Sequence, residues 1–159
     1  MAEHPVSHAP VDPATAGGAD EEVRAVLERR VQCLWEKDSR GLVELYDPGI
    51  VKFDLAPPLL EAGAAVRDTA GWEAWFATWE SPIGVEITQP AVRVEGSLAL
   101  VHSLNRMRGT KVGGQEVDLW FRATVGLREV DGAWLIVHEH NSVPFLMDGS
   151  GLAALELRP

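Results

Sequence analysis

The amino-acid sequence predicts an α+β fold: a cone-shaped, curved antiparallel sheet wrapped around three N-terminal helices. Two observations predict it. Helical periodicity is confined to the first half of the 159-residue chain, and strand-like alternation fills the second. Between the last strands stand Gly113-Gly114 and Asp131-Gly132, dipeptides that favour tight hairpins.

The elements follow in order. Residues 1–19 are rich in Pro, Ala and Gly and lack periodicity, which predicts a disordered tail. The tail has no basic region followed by an apolar one, so it does not read as a secretory signal. Asp20, Glu21 and Glu22 suit the positive end of a helix, and Val23, Val26, Leu27, Val31, Leu34 and Trp35 then recur at helical spacing. Ser39 is the expected cap of a second, short helix, with Leu42, Leu45 and Tyr46 on one face; Asp47-Pro48-Gly49 ends it. Ile50–Leu55 reads as a strand, with Val51, Phe53 and Leu55 on one side and Ile50, Lys52 and Asp54 on the other. Trp72, Trp75, Phe76 and Trp79 form one stripe on a third helix from Asp68 to Glu80. Val85–Thr88, Val92–Glu95, Leu98–Met107, Val117–Leu127 and Trp134–Val143 read as strands, the last three as a meander. The domain thus spans residues 20–146, and 147–159 form a C-terminal extension.

Composition narrows the function. With 14 basic and 24 acidic residues the chain carries a formal charge of −10, which disfavours nucleic acid and anionic lipid as partners. A single cysteine forms no internal disulfide and points to a reducing, cytoplasmic setting. No apolar run approaches the ~18 residues of a membrane span. No Gly-rich phosphate loop opens a helix and no nucleophile elbow is present, so no cofactor is expected.

Two-residue loops at both hairpins would place Thr124 opposite Glu139, Arg122 opposite Asn141 and Asn105, and Met107 opposite Trp120. One face would then carry Ser103, Asn105, Met107, Trp120, Arg122, Thr124, Glu139 and Asn141, and is expected to look into the helices. The other would carry His102, Leu104, Phe121, Ala123, Val125, Leu127, Trp134, Ile136, His138 and His140. It is too apolar for water, so a homodimer through this outer face is expected. A one-residue bulge would exchange the two sets.

Several segments carry a resemblance. These are Lys37-Asp38-Ser39-Arg40-Gly41-Leu42, Leu45-Tyr46, Val51-Lys52-Phe53-Asp54 and Leu119-Trp120-Phe121-Arg122-Ala123-Thr124. The run from Asp131-Gly132 through His138-Glu139-His140-Asn141 to Pro144-Phe145 is the most diagnostic. Over residues 20–146 the pattern resembles the nuclear-transport-factor-2-like superfamily, and within it SnoaL-like, ketosteroid-isomerase-like proteins. The resemblance implies a cone-shaped pocket and a dimer. It covers isomerases, polyketide cyclases, dehydratases, epoxide hydrolases and non-catalytic binding modules.

Aligned through Leu45-Tyr46, Asp54 falls where the resemblance implies a general-base aspartate. Nearby aromatic residues would desolvate it and raise its pKa; the alternative is a strand-end carboxylate paired with an arginine. Arg30 stands where the resemblance implies an oxyanion tyrosine, and Thr124 where it implies a second, protonated aspartate. Arg122, an arginine in an apolar strand, is either the substitute oxyanion donor or half of a structural ion pair. His140, with Asn105 and Asn141, would help to hold a substrate oxygen. Trp72, Trp75, Trp79, Met107, Trp120, Thr124, His138 and Glu139 complete the expected pocket. His102, His138 and His140 share a face but lack a further carboxylate at metal-ligand spacing, since Pro144 and Phe145 stand there, so no metal is expected. The expected activity is acid–base isomerisation, cyclisation or dehydration of a small apolar carbonyl compound. The alternative is a ligand-binding or dimerisation module of the same fold.

Overall fold

A computed structural model of the protein describes residues 13–159. Its elements are α1 (Pro13–Glu36), α2 (Ser39–Glu44), β1 (Tyr46–Phe53), β2 (Glu61–Ala62), α3 (Thr69–Phe76), β3 (Gly84–Glu95), β4 (Leu98–Thr110), β5 (Glu116–Val130) and β6 (Ala133–Ser142). Helix α1 begins before Asp20, and Asp20 pairs with Arg24 one turn on rather than opening the helix. The rest of the expected tail, residues 1–12, lies outside the described residues. Asp38, not Ser39, caps α2, accepting the Gly41 amide at 2.9 Å. Asp68 caps α3 in the same way. That helix ends at Phe76, where Thr78 Oγ1 takes up the Trp75 carbonyl at 2.7 Å.

The six strands form one open sheet in the order β2-β1-β6-β5-β4-β3. All neighbours are antiparallel except β1 and β6, which run parallel. The inner face packs on the helices. Val23, Leu27, Leu34 and Leu42 meet Val101, Val125, Leu127 and Ile136 in one apolar core.

Register departs from expectation at two points. The β4–β5 hairpin closes from Lys111 to Gln115, with the Lys111 amide bonding Gln115 O at 2.8 Å. Its loop therefore has one residue more than the expected Gly-Gly pair: Val112, Gly113 and Gly114. Both glycines adopt left-handed φ (95° and 84°), which a side chain resists. The β5–β6 hairpin does turn at Asp131-Gly132, with φ of 51° and 80°. A bulge then intervenes, because Leu127 pairs with Ile136 but Gly126 pairs with His138.

These two one-residue slips turn β5 over relative to both its neighbours. Asn105 pairs with Phe121, Leu104 with Arg122, and Thr124 with His140. Phe121, Ala123 and Val125 thus face the helices, while Trp120, Arg122 and Thr124 face outward. Ser103, Asn105, Met107, Glu139 and Asn141 keep their expected inward aspect. The same bulge turns Trp134 and Ile136 inward, and both are buried.

Leu127→Ala removes a fully buried side chain at this bulge and should cost ~2–5 kcal/mol. Val112→Ala, on the exposed loop, should stay within ~0.5 kcal/mol. Chemical denaturation of both variants checks the placement; equal effects would contradict it.

Candidate functional site

Strand β1 alternates, so Lys52 and Asp54 project from one side of it and Val51 and Phe53 from the other. The inner side of β1 meets the inner side of β6 in parallel register, and Lys52 lies opposite Glu139. Arg30 reaches down from α1 between them. Its Nε lies 2.6 Å from Glu139 Oε1, and its Nη2 donates to Oε2 at 3.1 Å. Tyr46 OH stands 3.5 Å from both Glu139 oxygens and accepts from Arg30 Nε at 3.3 Å.

Lys52 Nζ makes the second ion pair, 2.6 Å from Asp54 Oδ2, and lies 4.7 Å above the Trp72 ring. Asp54 Oδ1 accepts the Leu55 amide at 2.8 Å and Asn141 Nδ2 at 3.2 Å. Both ion pairs are withdrawn from water: side-chain exposures are 14% for Arg30, 2% for Glu139, 5% for Lys52 and 31% for Asp54. Asp54 keeps the residual access, and it faces a cavity of about 340 Å³. Leu34, Val66, Val85, Met107 and Phe121 line that cavity with Trp72 and Trp75. Its floor is charged and its walls are apolar, the usual build of a small-molecule site.

The charges set one another. Burial alone would raise the Asp54 carboxyl, but the charge and hydrogen bond of Lys52, with the bonds from the Leu55 amide and Asn141, together outweigh it and hold Asp54 below the ordinary carboxylate range. Burial would likewise lower Lys52, yet its negative surroundings raise it above the ordinary lysine value. Among these, Glu139 and Asp54 act at neutral pH. Tyr46 acts only once ionised, and burial pushes its own ionisation upward. Burial also opposes the Arg30 charge, and Glu139 and Tyr46 together more than compensate.

A larger groove, about 660 Å³, runs between α1 and β3 past Leu27, Val31, Trp35 and Ile87. Of its charged residues Glu28, Glu86 and Arg108 are exposed, and Arg24 is half-buried in its pair with Asp20. It offers no buried polar group to direct chemistry, so the smaller cavity is the candidate site.

A SnoaL-like domain model matches residues 23–146. The chain belongs to the SnoaL-like family. Among solved structures, this SnoaL-like chain is 35% identical to an NTF2-like protein of unknown function from Pseudomonas putida KT2440, covering 90% of this chain and 98% of that one with a TM-score of 0.79. Two more distant likenesses support the fold alone. A proposed dehydratase of the NTF2-like family from Streptomyces avermitilis is 19% identical over 79% of this chain and 96% of that one (TM-score 0.69). A proposed scytalone dehydratase from Novosphingobium aromaticivorans is 15% identical over 88% and 93% of the two chains (TM-score 0.74). No curated protein matches the chain. The expected α+β cone is the architecture these proteins share.

Of the residues singled out in the SnoaL-like sequence, Asp54, Trp72, Trp75, Met107 and Asn141 line the cavity. Glu139 lies beneath it as the partner of Arg30. Asn105 is buried on the inner face, accepting from Ser103 Oγ at 2.7 Å. The others stand elsewhere. Trp79 leaves the helical stripe because α3 stops short of it; it is buried beneath Lys111, whose Nζ lies 3.9 Å from its ring. Arg122, Trp120 and Thr124 are on the outer face through the β5 reversal. His138 and His140 are there too, edge-on to Phe53 at 5.2 and 5.6 Å, and His138 Nδ1 meets Val51 O at 2.9 Å. Among the described residues no three metal-ligating side chains converge, and no helix is long and apolar enough to cross a membrane.

Sequence reasoning missed Lys52 and Phe121 as site residues. Lys52 carried a signal, since it stands two residues from Asp54 on the same strand face. Phe121 carried none, because its aspect depends on the loop length.

A carboxyl held below its ordinary value stabilises the fold above that value, and the contribution fades as pH falls through the folded-state value. Asp54→Asn should therefore make the acid limb of the stability curve shallower between about pH 2 and pH 5. Urea midpoints across that range check it; an unchanged limb would show that the pair contributes nothing.

Proposed function

We propose that this chain is an acid–base enzyme of the isomerase, cyclase or dehydratase type, acting on a small, neutral, apolar carbonyl compound. One observation carries the reading: a carboxylate and an ammonium 2.6 Å apart at the polar end of an aromatic-walled cavity. In the proposed step Asp54 takes the proton from the carbon beside the carbonyl, and the C–H electron pair passes into the enolate. The Lys52 ammonium hydrogen-bonds the oxygen where that charge develops. Returning the proton to a different carbon isomerises the compound. Alternatively, loss of a β-hydroxyl as water, with a proton from Lys52, dehydrates it. Deuterium exchange into a panel of neutral aryl ketones in D₂O tests the first half-reaction without knowledge of the natural substrate. Asp54→Asn should slow exchange by ~10²–10⁴-fold, and a loss of only a few-fold would remove Asp54 as the base.

The pH profile follows from the two shifts. Asp54 is the base above its lowered pKa, and Lys52 is the acid below its raised one. Exchange should run on a flat plateau from about pH 5 to pH 9. A bell centred near neutrality would point to a histidine instead.

The closed Asp54–Lys52 pair also suits a second reading, a module that binds an apolar ligand without altering it. Quenching of tryptophan fluorescence by a ketone that shows neither exchange nor chemical change favours this reading for that compound.

We also propose that a second copy covers the outer face. Phe53, Trp120, Thr124 and His138 are left half-buried there, and the Trp120 indole N–H has no partner among the described residues. Light scattering should report a dimer and Thr124→Glu a monomer; a wild-type monomer at ~10 μM would overturn the interface.

A further inference from the structure

Lys52 is flanked in register by two glutamates. Glu139 lies opposite it on β6 and Glu61 opposite it on β2. The two have different surroundings. Glu139 is fully buried and spends both oxygens on Arg30, with Tyr46 alongside. Glu61 is half-buried at the cavity wall. Facing Lys52 are therefore Arg30 from α1, Tyr46 from β1, Asp54 just past its end, Glu139 from β6, Glu61 from β2 and the uncharged Trp72 from α3. His138 and His140 point to the other side of the sheet.

The count of buried charges is the key. Arg30 and Lys52 are two cations; Asp54 alone would leave one of them unbalanced in a site sheltered from water. The cheapest response of such a site is for the lysine to lose its proton, since an arginine does not. A neutral Lys52 would no longer hold Asp54 or meet a developing oxyanion.

We propose that Glu139 is a positioning residue: by neutralising Arg30 of α1 from its place opposite Lys52 on β6, it keeps Lys52 charged and directed over Trp72 onto Asp54. This role rests on the acid–base reading above for its consequence, but not for its test. Glu139 touches no substrate; it acts through Arg30 and Lys52.

The chain has three lysines, Lys37, Lys52 and Lys111, so NMR of protein labelled at lysine ¹³Cε resolves each titration, with Lys52→Met assigning the signal. Glu139→Gln keeps the shape and a carbonyl acceptor but removes the charge. It should lower the Lys52 midpoint by about a unit or more and leave Lys37 and Lys111 unmoved. The double variant Arg30→Gln/Glu139→Gln removes both charges and should bring the Lys52 midpoint back toward the wild-type value. A merely structural role for Glu139 predicts no such recovery. If Glu139→Gln alone does not fold, the double variant decides, because it should match wild type while Arg30→Gln alone raises Lys52 further. An unmoved Lys52 in folded Glu139→Gln overturns the proposal. So does a Glu61→Gln variant that shifts Lys52 as far. These titrations need no substrate, so an absence of ketone exchange in wild type would remove the catalytic reading and leave this one standing. Where exchange is seen, its alkaline limb should move down with the Lys52 midpoint in Glu139→Gln.

Discussion

The parallel register of β1 against β6 is the constraint on which this site depends. It sets Lys52 opposite Glu139 and brings Asp54 within reach of Asn141. Parallel neighbours cannot be joined by a tight turn, so this pairing closes only after one helix and four strands have been laid down between β1 and β6. Helices from both sides of β1 in the chain cover it. Arg30 arrives on α1 and Trp72 on α3, and both come to rest over the charges that the two strands put side by side. Each ion pair would be expensive alone. Burying a carboxylate or an ammonium costs several kcal/mol even after relaxation. The hydrogen bonds from Tyr46, Asn141 and the Leu55 amide satisfy the lone pairs that the salt bridges leave over.

How far this arrangement was legible in the sequence varies by element. The order of helices and strands was, because amphipathic periodicity is local. The two-residue turn at Asp131-Gly132 was, because few dipeptides accept left-handed φ twice in succession. The aspect of β5 was not. It depends on a third loop residue at Val112 and on the extra residue at the β6 bulge, and neither leaves a local mark. A strand has a side-chain period of two, so each slip inverts the whole strand rather than blurring it. That is why Asn105, Met107, Glu139 and Asn141 fell on the inner face as expected while Trp120, Arg122 and Thr124 did not. Trp79 failed for another reason: the stripe of tryptophans continues in the sequence beyond the point where the helix stops.

The charged floor was half legible. Asp54 was found by its neighbours and by resemblance. The oxyanion donor to accompany it was sought in Arg122, on the premise that an arginine in an apolar strand must be there for a reason. The turned strand places Arg122 on the outer face, where it is exposed, and the premise applies instead to Arg30 and Lys52. Arg30 sits on the apolar side of α1 between Leu27 and Leu34, and Lys52 is the lysine of an otherwise core-bound strand. Charged residues at such positions are rare unless paired, and the pairing of these two could have been anticipated from that alone.

The lowered pKa of Asp54 bears on what kind of base it can be. A solvated carboxylate is weak, and one clamped by an ammonium is weaker. The clamp, however, is a hydrogen bond that a ligand can share. A carbonyl oxygen placed beside Lys52 competes with Asp54 for the ammonium protons. The substrate's own body excludes water from the mouth of the cavity at the same time. In the proposed reaction both changes would raise the basicity of Asp54 while a carbon acid lies against it, and both would vanish when the site empties. On the proposed acid–base reading, the free site holds its buried charges as two closed pairs, and the ligand would open one of them. On that reading a neutral ligand fits best, because the buried cations Arg30 and Lys52 are already matched by Glu139 and Asp54, and Glu61 and Asp68 at the more open wall add only negative charge. A carboxylate ligand would add repulsion where a ketone adds only an acceptor.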